Sequence, residues 1–224
     1  MAEVRFVRQG HVILEMSDEM VRSIANAART CYRSEALSGP ESDARLVRKL
    51  VSLGHEAMLE HAWVSVRFVT SRAIANELVR HRLFSFAQES TRYVNSTRRG
   101  FEFVMPDGIE QFERMAIEDV CERAADEYEY MVGVGTRPEV ARAVLPLCTA
   151  TTIVASGNVR EWRHALSLRT DARAHPEMRA LMTPLLRELQ GRVPILFEDI
   201  SAHDDGLGDA TRAHDGNDDK GGRE

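Results

Sequence analysis

Arg80-His81-Arg82-Leu83-Phe84-Ser85-Phe86-Ala87-Gln88-Glu89-Ser90-Thr91-Arg92-Tyr93 gathers three arginines and a histidine among short polar side chains. The planar fork of arginine suits phosphate and carboxylate, and small hydroxyl residues let backbone N–H groups approach a ligand. Just upstream, Val64, Val66 and Phe68 alternate with Ser65 and Arg67, the pattern of a half-buried strand. A helix from about Ser71 then delivers Arg80, His81 and Arg82 at its C-terminal end, and an irregular polar loop comes next. Cations are favoured there by the helix dipole, so the plain reading is a capped, solvated helix end. The functional reading is an anion-holding element between a strand and a loop.

Working outward, Val4 to Glu15 alternates weakly and reads as a strand pair or an extended arm. Ser17 is the expected N-cap of a helix to about Tyr32, with Met20, Ile24, Ala27, Ala28 and Cys31 on one face. A second helix, from near Ser42 to Gly54, buries Leu46, Val47, Leu50 and Val51. Phe101 to Met105 is a short strand. A long helix then carries Ile109, Phe112, Ala116, Val120, Ala124, Tyr128 and Met131 on one stripe. Thr136 and Glu139 form an expected capping box, with Pro138 in the first turn of a helix that ends by Pro146. Thr149 to Ala155 is β-branched and strand-like, Asn158 caps a helix through about Arg169, and Pro176 opens a last helix to about Val193. A single domain over residues 1–200 is expected, and residues 201–224 form a polar tail with too little apolar surface to order.

A 224-residue chain, 43% hydrophobic and 29% charged, has the composition of a soluble globular protein. Its net charge of −6 disfavours nonspecific nucleic-acid binding, so a basic site must be local. Cys31, Cys121 and Cys148 show no disulfide or metal rhythm and fit a reducing cytoplasm. No apolar run is long enough to span a bilayer, and the N-terminus is too polar for a signal peptide.

Several constellations resolve into simpler readings. His55 and His61 are six residues apart, which sets them on different helical faces and not on the single face a zincin requires. Gly133-Val134-Gly135-Thr136 lacks a third glycine and a preceding strand, and reads as a helix-to-helix turn. Ser85 and Ser90 lie near His81 in sequence, but neither sits in a nucleophile elbow. The arginines resist this treatment. Arg142 interrupts an apolar helix, Arg160 and His164 share a helical face, and Arg169 ends that helix. Three separated basic elements in an acidic chain point to a shared anionic ligand.

The Arg-His-Arg-x7-Ser spacing of Arg80 to Ser90 resembles the signature of the flavin-dependent thymidylate synthases. Ala27 to Tyr32, Gly54-His55-Glu56 with Glu60-His61, Ala141-Arg142 with Leu145-Pro146, and Asn158 to Arg169 resemble further blocks in the same order, over about residues 4 to 198. The resemblance implies an α/β (α+β) fold, with an antiparallel-rich sheet and packed helices, in a homotetramer with FAD sites shared between subunits. It implies reductive methylation of dUMP to dTMP, with FAD as cofactor, 5,10-methylenetetrahydrofolate as carbon donor and NADPH as reductant. It places Arg169 against the uracil, favouring ionisation at N3, and names Ser90 with it as catalytic, Ser90 being a positioned polar contact that lines the dUMP phosphate and sugar. Glu77, Arg80, Gln88, Glu89, Ser90, Thr91, Arg92, Arg142 and Arg169 would hold dUMP. His55, Ala57, Glu60, Arg80, His81, Arg82, Leu83, Gln88, Asn158, Arg160 and His164 would hold FAD, and His55 would help place folate or nicotinamide. No metal, nucleic acid or membrane is implied. The chain departs from the usual letters at Glu77 (glutamine), Ala87-Gln88 (Asn-Glu), Ala57 (a hydroxyl residue) and His164 (asparagine). The rival readings are a single-stranded RNA-binding module over Arg80 to Arg99, a flavin enzyme acting on another nucleotide or only oxidising NADPH, and a metallohydrolase.

Overall fold

Alternation of β-branched and small residues builds a four-stranded antiparallel sheet, in the order β2 (Gly10–Met16), β3 (Trp63–Ser71), β6 (Ala150–Asn158), β4 (Ser85–Gln88). The computed structural model of the chain describes residues 2–31, 33–92 and 100–203. Tyr32, Tyr93 and nearly all of the expected polar tail lie outside the described residues, as does the end of the RNA-binding reading beyond Arg92. On β3, Val64, Val66 and Phe68 are fully buried, and Ser65 on the opposite face pairs its hydroxyl with Ser156 of β6 at 2.8 Å. The mixed helix and antiparallel-sheet architecture is the expected one.

The sheet packs against α1 (Met20–Thr30), α2 (Pro40–Ser52), α3 (Arg72–Leu78), α6 (Val159–Arg169), α7 (Pro176–Arg192) and a short α8 (Pro194–Phe197). A buried ion pair ties α1 to α2: Arg29 Nη2 lies 2.9 Å from Asp43, both side chains 4% exposed. Arg163 of α6 grips Asp199 through two bonds of 2.7 Å and donates to the Leu196 carbonyl, fixing α6 against α8. Burial works against the Arg163 charge, but Asp199 and Glu56 outweigh it and hold its pKa up.

A second core lies around β1 (Val4–Val7) and β5 (Phe101–Val104), packed on α4 (Gln111–Gly133) and α5 (Pro138–Ala141). The expected N-terminal strand pair is corrected here. β1 runs parallel to β5, while β2 leaves for the main sheet, because the apolar side chains of the two strands serve different cores. The expected α4 stripe is also corrected. Cys121, Ala125 and Tyr128 are the buried residues, whereas Phe112 is 71% and Val120 46% exposed.

Helix ends differ in detail. Ser17 caps no helix; it accepts from the Trp63 N–H at 2.8 Å, and α1 begins after Glu19. Thr136 makes no capping box, since Arg137 is the N-cap of α5; the box belongs to Glu110 and Glu113 at the start of α4. Arg142 therefore sits on a 3-10 turn, not a long helix. Ser71 and Asn158 do cap, accepting from the N–H groups of Ile74 and Glu161 at 3.2 and 3.0 Å. The Gly133 to Pro138 segment is the expected helix-to-helix turn. No helix among the described residues is long and apolar enough to cross a membrane.

Candidate active site

Sheet and helices meet where α3 ends, and a tight turn there carries the Arg-His-Arg triplet. Arg80 N–H donates to Glu77 O and His81 N–H to Leu78 O, both at 3.1 Å, closing the last turn of α3. Phe84 N–H then donates back to His81 O at 3.1 Å. Phe84 wedges edge-on against Trp162 of α6, ring centroids 4.6 Å apart. Gly157 of β6 makes the room: a Cβ there would stand 2.6 Å from the Phe84 ring. Trp162 is itself fixed by its indole N–H on Val64 O at 3.0 Å. Beyond Phe84 the chain enters a sheet strand and not the expected irregular loop. Residues Ser85–Gln88 pair with Ser156 to Ile153 of β6, and only from Glu89 onward is the segment irregular.

This anchoring presents two adjoining groups of side chains. In the first, Arg169 is pinned at the end of α6. Its Nε donates to His81 Nε2 at 2.9 Å, its Nη1 to Glu77 Oε2 at 3.0 Å and its Nη2 to the Glu77 carbonyl at 3.4 Å. Three of its five N–H groups are thereby directed. Burial, then the charges of Arg169 and His164, lower the pKa of His81 to about 4, so the ring is neutral and accepts from Arg169. With Nε2 so occupied, and no hydrogen bond from Ser85 or Ser90 to His81 among the described residues, no hydrolase triad exists here. Ser90 Oγ instead accepts from the Arg92 N–H at 3.3 Å.

Nearby, Gln88 Nε2 and Arg72 Nη1 both approach Thr151 Oγ1 at 3.4 Å, and the Glu89 backbone pairs with Thr152 at 2.9 Å. Arg142 Nη1 donates to Thr91 Oγ1 at 3.0 Å, joining two segments 51 residues apart. Arg72 was not singled out from sequence. Burial pushes its guanidinium pKa down, Glu89 opposing and Arg142 adding to the effect, so it belongs to the same charged group. A cation in the first turn of a helix opposes the dipole, and that was the available signal. Glu177, in the first turn of α7, was also missed. Burial pushes its carboxyl up, with His175 opposing and Asp107 and Glu77 reinforcing.

In the second group, Arg80, His81, Arg82, Leu83, Arg160 and His164, with Glu56 and Glu161, line a cleft of about 370 Å³. Arg160 donates to Glu60 at 2.6 Å, a bond that, with the nearby Glu56 charge, raises its pKa. His55 and Ala57 are exposed, on and beside the 3-10 turn that carries Glu60, and the Asn158 side chain is committed to its cap. Arginine donors, an exposed leucine and two imidazoles suit a diphosphate joined to an apolar ring, which fits one part of FAD. A cofactor with two ring systems and a diphosphate exceeds a cleft of this size.

Residues 12–195 match the family described as thymidylate synthase complementing protein. The chain is 38% identical over 197 residues to a flavin-dependent thymidylate synthase of Geobacter sulfurreducens, covering 84% of each chain. It is 36% identical over 208 residues to one of Mycolicibacterium gilvum, covering 83% of this chain and 82% of the relative. Among solved structures, a UMP/dUMP methylase PolB from Streptomyces cacaoi, bound with 5-Br dUMP, superposes with a TM-score of 0.74. That likeness carries 25% identity and covers 88% of this chain and 95% of the other.

Proposed function

The chain belongs to the family of flavin-dependent thymidylate synthases, and from that membership we infer that it is an enzyme converting dUMP to dTMP by reductive methylation. The observation that carries the chemistry is the pinned guanidinium of Arg169, fixed by Glu77 and His81 beside an arginine-lined cleft. When bound, FAD supplies the hydride chemistry, with NADPH as reductant and 5,10-methylenetetrahydrofolate as carbon donor.

The residues supply positioning and electrostatics. Arg169 holds permanent positive charge at the pyrimidine, where it stabilises the ring ionised at N3. The neutral His81 ring orients it without adding a competing charge. Arg142 and Arg72, with Gln88, Ser90, Thr91 and Arg92, hold the phosphate and sugar, and Arg80, which lines the flavin cleft, serves both ligands from its wall. Arg82, Leu83, Arg160 and His164 line the flavin side, with Asn158 shaping its helix start and Glu60 orienting Arg160; His55 and Ala57 stand at the rim toward folate or nicotinamide. None of the cysteines is needed as a nucleophile.

Because the cleft is smaller than the cofactor, the FAD site is completed by another copy of the chain. A homotetramer with shared sites accounts for this, and the exposed Phe112, Met115, Val120 and Tyr130 of α4 offer apolar surface for assembly. Residues 1–200 are the working domain, residues 201–224 a polar tail, and the setting is cytoplasmic. The test is product analysis by mass spectrometry: protein with FAD, NADPH, methylenetetrahydrofolate and dUMP yields dTMP. The name of the Streptomyces cacaoi protein, a UMP/dUMP methylase, supports a second reading in which UMP is also methylated. Equal rates on both nucleotides would favour it, and failure with dUMP would overturn the first.

A further inference from the structure

Cys121 and Cys148 form a thiol pair that the methyl transfer does not use. Cys121 lies on the buried face of α4, closed to solvent. Cys148 is half-buried, in the segment between Pro146 and Thr149 that leads into β6. Their sulfurs are 3.5 Å apart although 27 positions separate them in the chain. They sit in the second core beside Phe103 and Ala125, and no third His, Cys, Asp or Glu joins them to make a metal-ligand set among the described residues.

We propose that Cys121 and Cys148 are a peroxide-reactive modification site that closes to an intramolecular disulfide. The pair is asymmetric in the way such chemistry requires. The shared hydrogen bond, with burial adding to it, pushes the Cys121 thiol up. The same bond draws Cys148 down against burial, so of the two thiols Cys148 is the one that ionises more readily. The negative charges of Glu122, acting on Cys121, and of Glu177, acting on Cys148, oppose thiolate formation and are the smallest of the influences on each thiol. Cys148 is also the more accessible of the two.

The Cys148 thiolate attacks one oxygen of hydrogen peroxide; the O–O bond breaks, hydroxide leaves and a sulfenic acid forms. Cys121 then attacks the Cys148 sulfur, its proton going to the departing hydroxyl, which leaves as water. Two thiols and one peroxide give one disulfide and two waters. Bonding needs the sulfurs to close to about 2.05 Å, a movement of roughly 1.5 Å. That movement draws α4 toward the segment whose Leu147 and Thr149 carbonyls accept the N–H groups of Ala73 and Arg72. The nucleotide wall at Arg72 and Thr151 is therefore displaced, and oxidation is expected to lower dUMP methylation several-fold until a dithiol restores it.

The test uses the full chain carrying Cys31→Ser, which removes the exposed competing thiol. Folded protein is treated with a few equivalents of hydrogen peroxide, then unfolded in an alkylating agent and weighed. The proposal expects two fewer alkylated thiols, a loss of two hydrogens and a peptide joining Cys121 to Cys148. With Cys121→Ser added, Cys148 is expected to be trapped by dimedone as its sulfenic acid. With Cys148→Ser instead, Cys121 is expected to stay unlabelled. Two freely alkylated thiols after treatment, or labelling of Cys121 ahead of Cys148, would overturn it. The activity arm rests on the proposed function, whereas the mass readout does not, so the two failures are distinguishable.

Discussion

Replacing Glu77 by Gln removes a carboxylate charge 3.0 Å from the Arg169 guanidinium, which we propose lies against the pyrimidine, while leaving an amide oxygen to accept from Arg169. An anion accepting from the far side of that guanidinium stands about 6 Å from the carboxylate. At that separation the repulsion is ~3 kcal/mol with an effective dielectric of ~20 and ~0.7 kcal/mol in bulk water. The Glu77 side chain is 37% exposed, so the lower part of the range applies, about 1 kcal/mol or ~0.7 pK unit. Removing a negative charge favours the ionised ring, so the apparent pKa of bound nucleotide should fall. Ultraviolet titration of bound 5-bromo-dUMP reads this directly, because the ionised ring absorbs differently, and the acid limb of the pH–kcat profile, where rate rises as the ring ionises, should move by the same amount. The expected result is a shift of ~0.5–1 unit to lower pH in both. An unmoved midpoint, or a shift to higher pH, would refute the placement of Arg169 against the ring.

Arg169→Ala should fold with little change in thermal midpoint, yet lose about 10²–10³-fold in kcat, the usual scale for one preorganised donor; near-normal turnover would reduce Arg169 to a surface charge. His81, lowered from 6.5 to about 4, is neutral when folded, so the unfolded chain binds its proton first as pH falls. Its contribution to stability is complete above pH 6.5 and lost progressively toward pH 4, by up to about 3 kcal/mol. Urea denaturation against pH should flatten over that window in His81→Gln, and equal slopes in both proteins would contradict the assignment. Gly157→Ala should cost about 1–3 kcal/mol in urea, because its Cβ meets the Phe84 ring 2.6 Å away.

Much of this arrangement was legible in the residues. The alternation on β3, the helix start near Ser71 and the cap at Asn158 were readable from the residues, and the separated arginines pointed to a shared anionic ligand; that the Arg-His-Arg turn meets the end of α6 came from the structure. What escaped depends on partners distant in sequence. Val4 to Val7 alternates equally well in a hairpin or a parallel pair, and only packing on α4 selects β5. Phe112 and Val120 have the 3.6-residue period of a core face, but the buried face is set by where Phe101 and Phe103 meet α4. Thr136 has the letters of a cap, but its turn leaves Arg137 at the helix start. Ser85 to Gln88 reads as a polar loop until β6 supplies an edge for it to pair with. Arg72 and Glu177 gain their meaning from burial, which no single residue type announces.

The most direct measurement is tritium release from 5-tritiated dUMP. With FAD, NADPH and methylenetetrahydrofolate present, the protein should release label to water in step with dTMP formation and stop when FAD is removed. Absence of release from folded, flavin-loaded protein would contradict flavin-dependent methylation of dUMP.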